Sequence, residues 1–82
     1  MAKILIVEDE KPINDLVRFN LELVGHECVQ TFDGGTGLEE AMRVKYDLII
    51  LDVMLPKLSG FEIMECIEGT PTIFVTAKTG AR

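Results

Sequence analysis

Lys3-Ile4-Leu5-Ile6-Val7-Glu8-Asp9-Glu10 is the stretch on which the fold turns: four apolar residues, three of them β-branched, run straight into three acids. An apolar run without polar alternation suits a strand covered on both faces, as in a parallel sheet. Leu48-Ile49-Ile50-Leu51 repeats the pattern and meets Asp52 at its end, and Ile73-Phe74-Val75 is a third run of the same character. Cys28-Val29-Gln30-Thr31-Phe32 mixes polar residues into a β-prone segment, as an edge strand does.

Helical patterns fill the gaps. Pro12 stands where a helix can begin, since the N–H it lacks is unpaired there in any case. Ile13, Leu16, Val17, Leu21 and Val24 recur at near-helical spacing, with Phe19 and Leu23 as a second apolar line, and Gly25 marks the end. A weaker helix with Leu38, Ala41 and Met42 follows the glycine-rich loop Gly34-Gly35-Thr36-Gly37. Ser59 with Glu62 three residues on forms a capping box for a third helix carrying Phe61, Ile63, Met64 and Ile67, and Gly69-Thr70-Pro71 stops it. The order is β-α-β-α-β-α-β, an α/β domain with a parallel sheet and right-handed crossovers.

The 82 residues of this sequence allow one small domain. With 48% hydrophobic and 27% charged residues, a disordered segment is excluded. Fourteen acids against eight bases give a net charge of −6, which offers no basic footprint for nucleic acid and no attraction to an acidic membrane surface. No apolar run approaches a membrane span, and no signal peptide is read at the start. Cys28 and Cys66 lack metal or disulfide spacing and suit a reducing, cytoplasmic setting as small buried hydrophobes. His26, with no second histidine to help it bind a metal, reads as a surface loop residue.

The chemistry lies in the acids at strand ends. In open parallel sheets, sites form beyond the carboxyl ends of the strands, where strand order reverses. If the first and third strands are neighbours and the second lies outside the first, Glu8, Asp9 and Asp52 converge in that crevice. Carboxylates brought together call for a cation, and Mg2+ accepts a few carboxylates while keeping its waters. A cation beside Asp52 would hold it ionised, and a carboxylate can serve as a nucleophile toward phosphorus. Thr76, at the end of the fourth strand, brings a hydroxyl near the same crevice. The pattern points to a metal-assisted phosphoryl site. Glu10 reads as a solvated loop acid, and the glycine-rich loop lacks the residues of a nucleotide-binding motif.

Val7-Glu8-Asp9-Glu10, Leu51-Asp52-Val53-Met54-Leu55-Pro56 with Gly60, and Val75-Thr76-Ala77-Lys78 together resemble the receiver domain of bacterial two-component response regulators. The resemblance implies a flavodoxin-like three-layer α/β fold with strand order 2-1-3-4. It implies that Asp52 is the phospho-acceptor, taking a phosphoryl group from a histidine kinase or phosphotransfer protein. It further implies that Asp9 is the principal Mg2+ ligand with Glu8 in support, that the Met54 backbone carbonyl is another ligand, and that Thr76 is the switch hydroxyl.

Against the family's pattern, the 82 residues read as a single receiver domain without the fifth strand, the lysine that ends it, and the flanking helices. Phosphoryl charge is then less well neutralised and transfer is expected to be impaired. The same reading leaves the fourth strand as an unpaired apolar edge and the Phe19/Leu23 line without cover, so self-association as a dimer is the rival expectation. A phosphatase with an aspartyl nucleophile would need a second acid at position 54, where methionine stands. The expected product is a signalling state rather than a released metabolite.

Overall fold

The computed structural model describes residues 1–52 and 69–75. In chain order the elements are β1 (Lys3–Val7), α1 (Lys11–Leu23), β2 (Glu27–Thr31), α2 (Gly34–Arg43), β3 (Leu48–Asp52) and β4 (Thr72–Val75). The four strands form one sheet in the order β2-β1-β3-β4, and every pairing is parallel. The helix expected around Ser59 to Ile67 falls outside the described residues, as does Cys66.

Strand β1 lies at the centre, and Ile4, Leu5, Ile6 and Val7 are all buried. Alternate residues face opposite helices. Leu5 and Val7 pack with Ile49 and Leu51 in a core cluster that Leu38, Ala41 and Val44 cover from the α2 side. Ile6 and Ile50 share the other face with Ile13 and Val17 of α1. The unbroken apolar run of β1 is thus the consequence of a helix on each face.

Helix α1 begins with proline in its first turn, as the sequence suggests. Its inward stripe differs from the expected one. At about 3.6 residues per turn, Ile13, Val17 and Leu21 share a face with Asn14, and that puts Phe19 opposite, with Leu16 and Leu23 on the outer flanks. Asn14 is fully buried, whereas Leu16, Phe19 and Leu23 are exposed. Val24 is exposed too, since the helix has ended and the chain turns through Gly25 at φ 96°. Ile73 of β4, the outermost strand among the described residues, is half exposed.

Helix α2 also departs from expectation, because the glycine-rich segment is its first turn rather than a loop before it. The Asp33 carboxylate accepts from the Thr36 N–H at 2.8 Å, an N-cap that satisfies one of the helix's unpaired donors. Gly37 allows the helix to sit close on the sheet. A Cβ there would stand 2.7 Å from Val7 Cγ1 and 2.9 Å from Val7 Cγ2.

At the amino end of the sheet, backbone and side chains clasp β1. The Lys3 N–H donates to Asp47 Oδ2 and the Asp47 N–H to the Lys3 carbonyl, both at 2.8 Å. The Ala2 N–H donates to His26 Nδ1 at 3.0 Å, so His26 is a half-buried tie rather than a free surface residue. Cys28 is half-buried, and its desolvation pushes the thiol pKa up. Tyr46 closes the core from this end. Its ring is buried under the Lys3 ammonium, and its hydroxyl donates to Glu40 Oε2 at 2.6 Å. Glu40, which also accepts from Arg43, is held below the usual carboxylate range by these two hydrogen bonds, Tyr46 first.

Two outcomes follow from this packing. Gly37→Ala forces the added methyl against Val7 and should cost about 1–3 kcal/mol, read as a lowered thermal midpoint. Gly35→Ala meets only Asp33 Oδ1 at 3.4 Å and should hold or raise the midpoint. Burial, and then the Glu40 carboxylate, push the Tyr46 pKa above its ordinary value. The folded state therefore keeps the phenol proton when the unfolded chain has lost it. This contribution to stability is complete below about pH 10 and declines as the pH rises further. Urea midpoints between neutral pH and pH above 10 should fall more steeply for the wild type than for Tyr46→Phe.

Candidate acidic site at the carboxyl ends of the strands

The chain runs from β1 to β2 on one side and then returns across β1 to β3 on the other. The reversal leaves a crevice between the carboxyl ends of β1 and β3, where Val7 pairs with Leu51. Glu8 is the first residue beyond β1, and Asp52 is the last residue of β3. Both are buried, at 3% and 1% exposure, and Asp9 is half-buried beside them. One carboxylate oxygen from each of Glu8, Asp9 and Asp52 lies within 4.8 Å of the other two.

The loop that carries Glu8 and Asp9 is held from several sides. The Glu8 N–H donates to the Thr31 carbonyl at 3.1 Å, which extends the β1–β2 pairing by one residue past the strand. The Glu8 side chain folds back so that Oε2 accepts from the Glu10 N–H at 2.9 Å. Glu10 is exposed and precedes α1 without capping it through its side chain, in agreement with its reading as a loop acid.

Beneath this loop sits Asn14, a residue absent from the sequence-derived site. Its Nδ2 donates to the Glu8 carbonyl at 2.9 Å and to the Thr31 carbonyl at 2.8 Å, and its Oδ1 accepts from Gln30 Nε2 at 2.9 Å. The signal in the sequence is a polar residue at a position where the helix stripe calls for an apolar one. Thr31, likewise buried, donates its hydroxyl to the Ile6 carbonyl at 2.9 Å and ties β2 to β1 at the same level.

The donor set is chemically uniform, since all three side chains offer carboxylate oxygen and none offers imidazole or thiolate. At the observed spacing, and with an effective dielectric constant near 20, each pair of charged carboxylates repels by at least about 3.5 kcal/mol. Hard oxygens in this number suit Mg2+, whose opposite ligands stand about 4.2 Å apart when its bonds are about 2.1 Å long. The residues present therefore fit such an ion. Met54 and Thr76, the other expected site residues, lie outside the described residues.

Residues 4–82 match the model of the response regulator receiver domain. The chain belongs to the response regulator receiver domain family. This receiver domain is 44% identical over 82 residues to the response regulator ArlR of Staphylococcus saprophyticus, an alignment covering 96% of this chain and 37% of that protein. It is 42% identical over 80 residues to the alkaline phosphatase synthesis transcriptional regulatory protein PhoP of Bacillus subtilis, covering 93% of this chain and 33% of the relative. The chain thus spans about a third of the length of these curated relatives.

Among solved structures, TrrA of Thermotoga maritima in complex with Mg2+-BeF superposes with a TM-score of 0.87 at 31% identity, covering all of this chain and 75% of that one. TrrA in complex with the histidine kinase ThkA gives a TM-score of 0.85 at 33% identity, over 94% of this chain and 70% of the other. The expected flavodoxin-like α/β architecture with strand order 2-1-3-4 is thereby shown for this receiver domain. No helix among the described residues is long and apolar enough to cross a membrane.

If the carboxylates hold Mg2+, adding it should raise the thermal midpoint of the wild type, since a ligand at a hundred times its Kd stabilises by about 2.7 kcal/mol. Asp9→Asn should lose most of that rise. An equal rise in both proteins would place the ion elsewhere.

Proposed function

We propose that Asp52 accepts a phosphoryl group from the phosphohistidine of a histidine kinase or phosphotransfer protein, with Glu8 and Asp9 holding Mg2+ beside it. The observation that carries this reading is the convergence of the three carboxylates within 4.8 Å at the strand-order reversal. An oxygen of Asp52 attacks phosphorus, the P–N bond to the donor imidazole breaks, and an acyl phosphate forms on the carboxyl group. Mg2+, when bound, offsets the negative charge of the acidic site and of the phosphoryl oxygens.

The protein's own residues supply the rest. Asp52 is rigid because it ends a strand that pairs with β1 on one side and β4 on the other. Its side chain is buried, at the level where β1 and β3 end. Asp9, half exposed on its loop, is placed to meet an entering ligand, while Glu8 is tied back by the Glu10 N–H and supports from below. The Met54 carbonyl as a further ligand and the Thr76 hydroxyl as a donor to the phosphoryl group belong to the same proposal and rest on the family resemblance. The product stays attached, so the role is that of a switchable acceptor rather than of an enzyme releasing product. Several relatives of this receiver domain are named as transcriptional regulators, which supports reading the chain as the phosphorylation input of a longer regulator.

Incubation with acetyl phosphate and Mg2+ should add one phosphoryl group to the intact mass of the wild type. The adduct should be absent with Asp52→Asn or with chelator, and its formation should slow by about tenfold or more in Asp9→Asn. No adduct on the wild type, or an equal one on Asp52→Asn, would refute the assignment.

A further inference from the structure

The buried amide of Asn14 has both of its N–H groups and its oxygen engaged, and two of its three partners belong to the backbone at the acidic site. The Glu8 carbonyl that it holds is half of the peptide unit whose other half is the Asp9 nitrogen. That unit is planar, so fixing the carbonyl direction also fixes the plane from which the Asp9 Cα departs. We propose that Asn14 is a positioning residue of the site: through the Glu8–Asp9 peptide it sets where the Asp9 carboxylate stands relative to Asp52. The role in metal binding rests on the reading of Glu8, Asp9 and Asp52 as a Mg2+ site.

The chemistry of the side chain suits the task. Both backbone partners are carbonyls, and only a group with two N–H donors can serve them from one atom. A carboxylate of the same shape would set oxygen against oxygen. The amide's orientation is fixed in turn by Gln30, whose Nε2 donates to Asn14 Oδ1 and, at 2.7 Å, to Asp15 Oδ1. Lys11 anchors the far side of Asp15 at 2.8 Å. The Lys11 contact and then the Gln30 contact hold the Asp15 carboxyl below its usual range, so it is a charged acceptor at neutral pH. A chain of polar contacts thus runs from the outer face of α1 through Gln30 of β2 to the peptide bearing Asp9.

The test compares Mg2+ affinity, measured by calorimetric titration below every thermal midpoint, for the full chain and its variants. Asn14→Ala should weaken Mg2+ binding by about tenfold or more, the usual effect of removing a group that orients a ligand. Ile49→Val, which destabilises the core without touching the loop, should stay within about twofold of wild type. Gln30→Met keeps the volume, removes the donors, and should shift affinity the same way by less; it decides the matter should Asn14→Ala fail to fold. The nitrogen resonance of Asp9 in the metal-free protein gives a readout free of the ion, because that atom shares the peptide with the Glu8 carbonyl. It should move in Asn14→Ala and Gln30→Met and hold in Ile49→Val. Wild-type affinity together with an unmoved Asp9 resonance in the variants would overturn the positioning role. A wild type that binds no Mg2+ would instead refute the metal-site reading, and the Asp9 resonance alone would then decide whether Asn14 fixes the peptide.

Discussion

Pairing of β1 with β3 is the constraint on which the rest of the structure depends. β1 has a neighbour on each side and a helix on each face, so its four apolar residues lose contact with water entirely. Because β2 and β3 flank β1 from opposite sides, the loops that leave β1 and β3 diverge and open the crevice between them. The acids at positions 8, 9 and 52 then have nowhere to be but close together. Burial of apolar surface along β1 thus holds three like charges in proximity, an arrangement that the acids would not adopt by themselves.

Much of this was legible in the sequence for a plain physical reason. An apolar run with no alternation has few homes other than the middle of a parallel sheet, and an acid directly after such a run must emerge at its carboxyl end. The placement of Glu8, Asp9 and Asp52 was therefore readable, as were the order of the elements from β1 to β3 and the start of α1 at Pro12. Side-chain partnership was less readable. Asn14 stood in the sequence as a polar interruption between Ile13 and Val17, with nothing nearby to show that its partners would be Glu8, just past β1, and Thr31 of β2. The outward placement of Leu16 had the same origin, since choosing the buried stripe of α1 required knowing that a polar side chain lay at its centre.

Gly37 illustrates a related limit. Read along the chain, Gly34-Gly35-Thr36-Gly37 is a turn, because glycine is a poor helix former. The helix forms there anyway: Asp33 caps it, and the absence of a side chain at position 37 lets α2 rest on Val7. Local preference yielded to contact with a residue thirty positions away, as it often does where a helix crosses a sheet at short distance.

The strand order carries one more consequence, and it concerns time. Val7 meets Leu51 across most of the described chain, and the Lys3–Asp47 clasp spans 44 positions. Contacts this distant in sequence form late, because the chain must close a long loop before they return any stabilisation. The acidic crevice has no existence in a partly folded chain that has joined β1 only to β2. Its carboxylates assemble in the same event that completes the centre of the sheet, so competence to bind a cation arises with the finished fold and not before it.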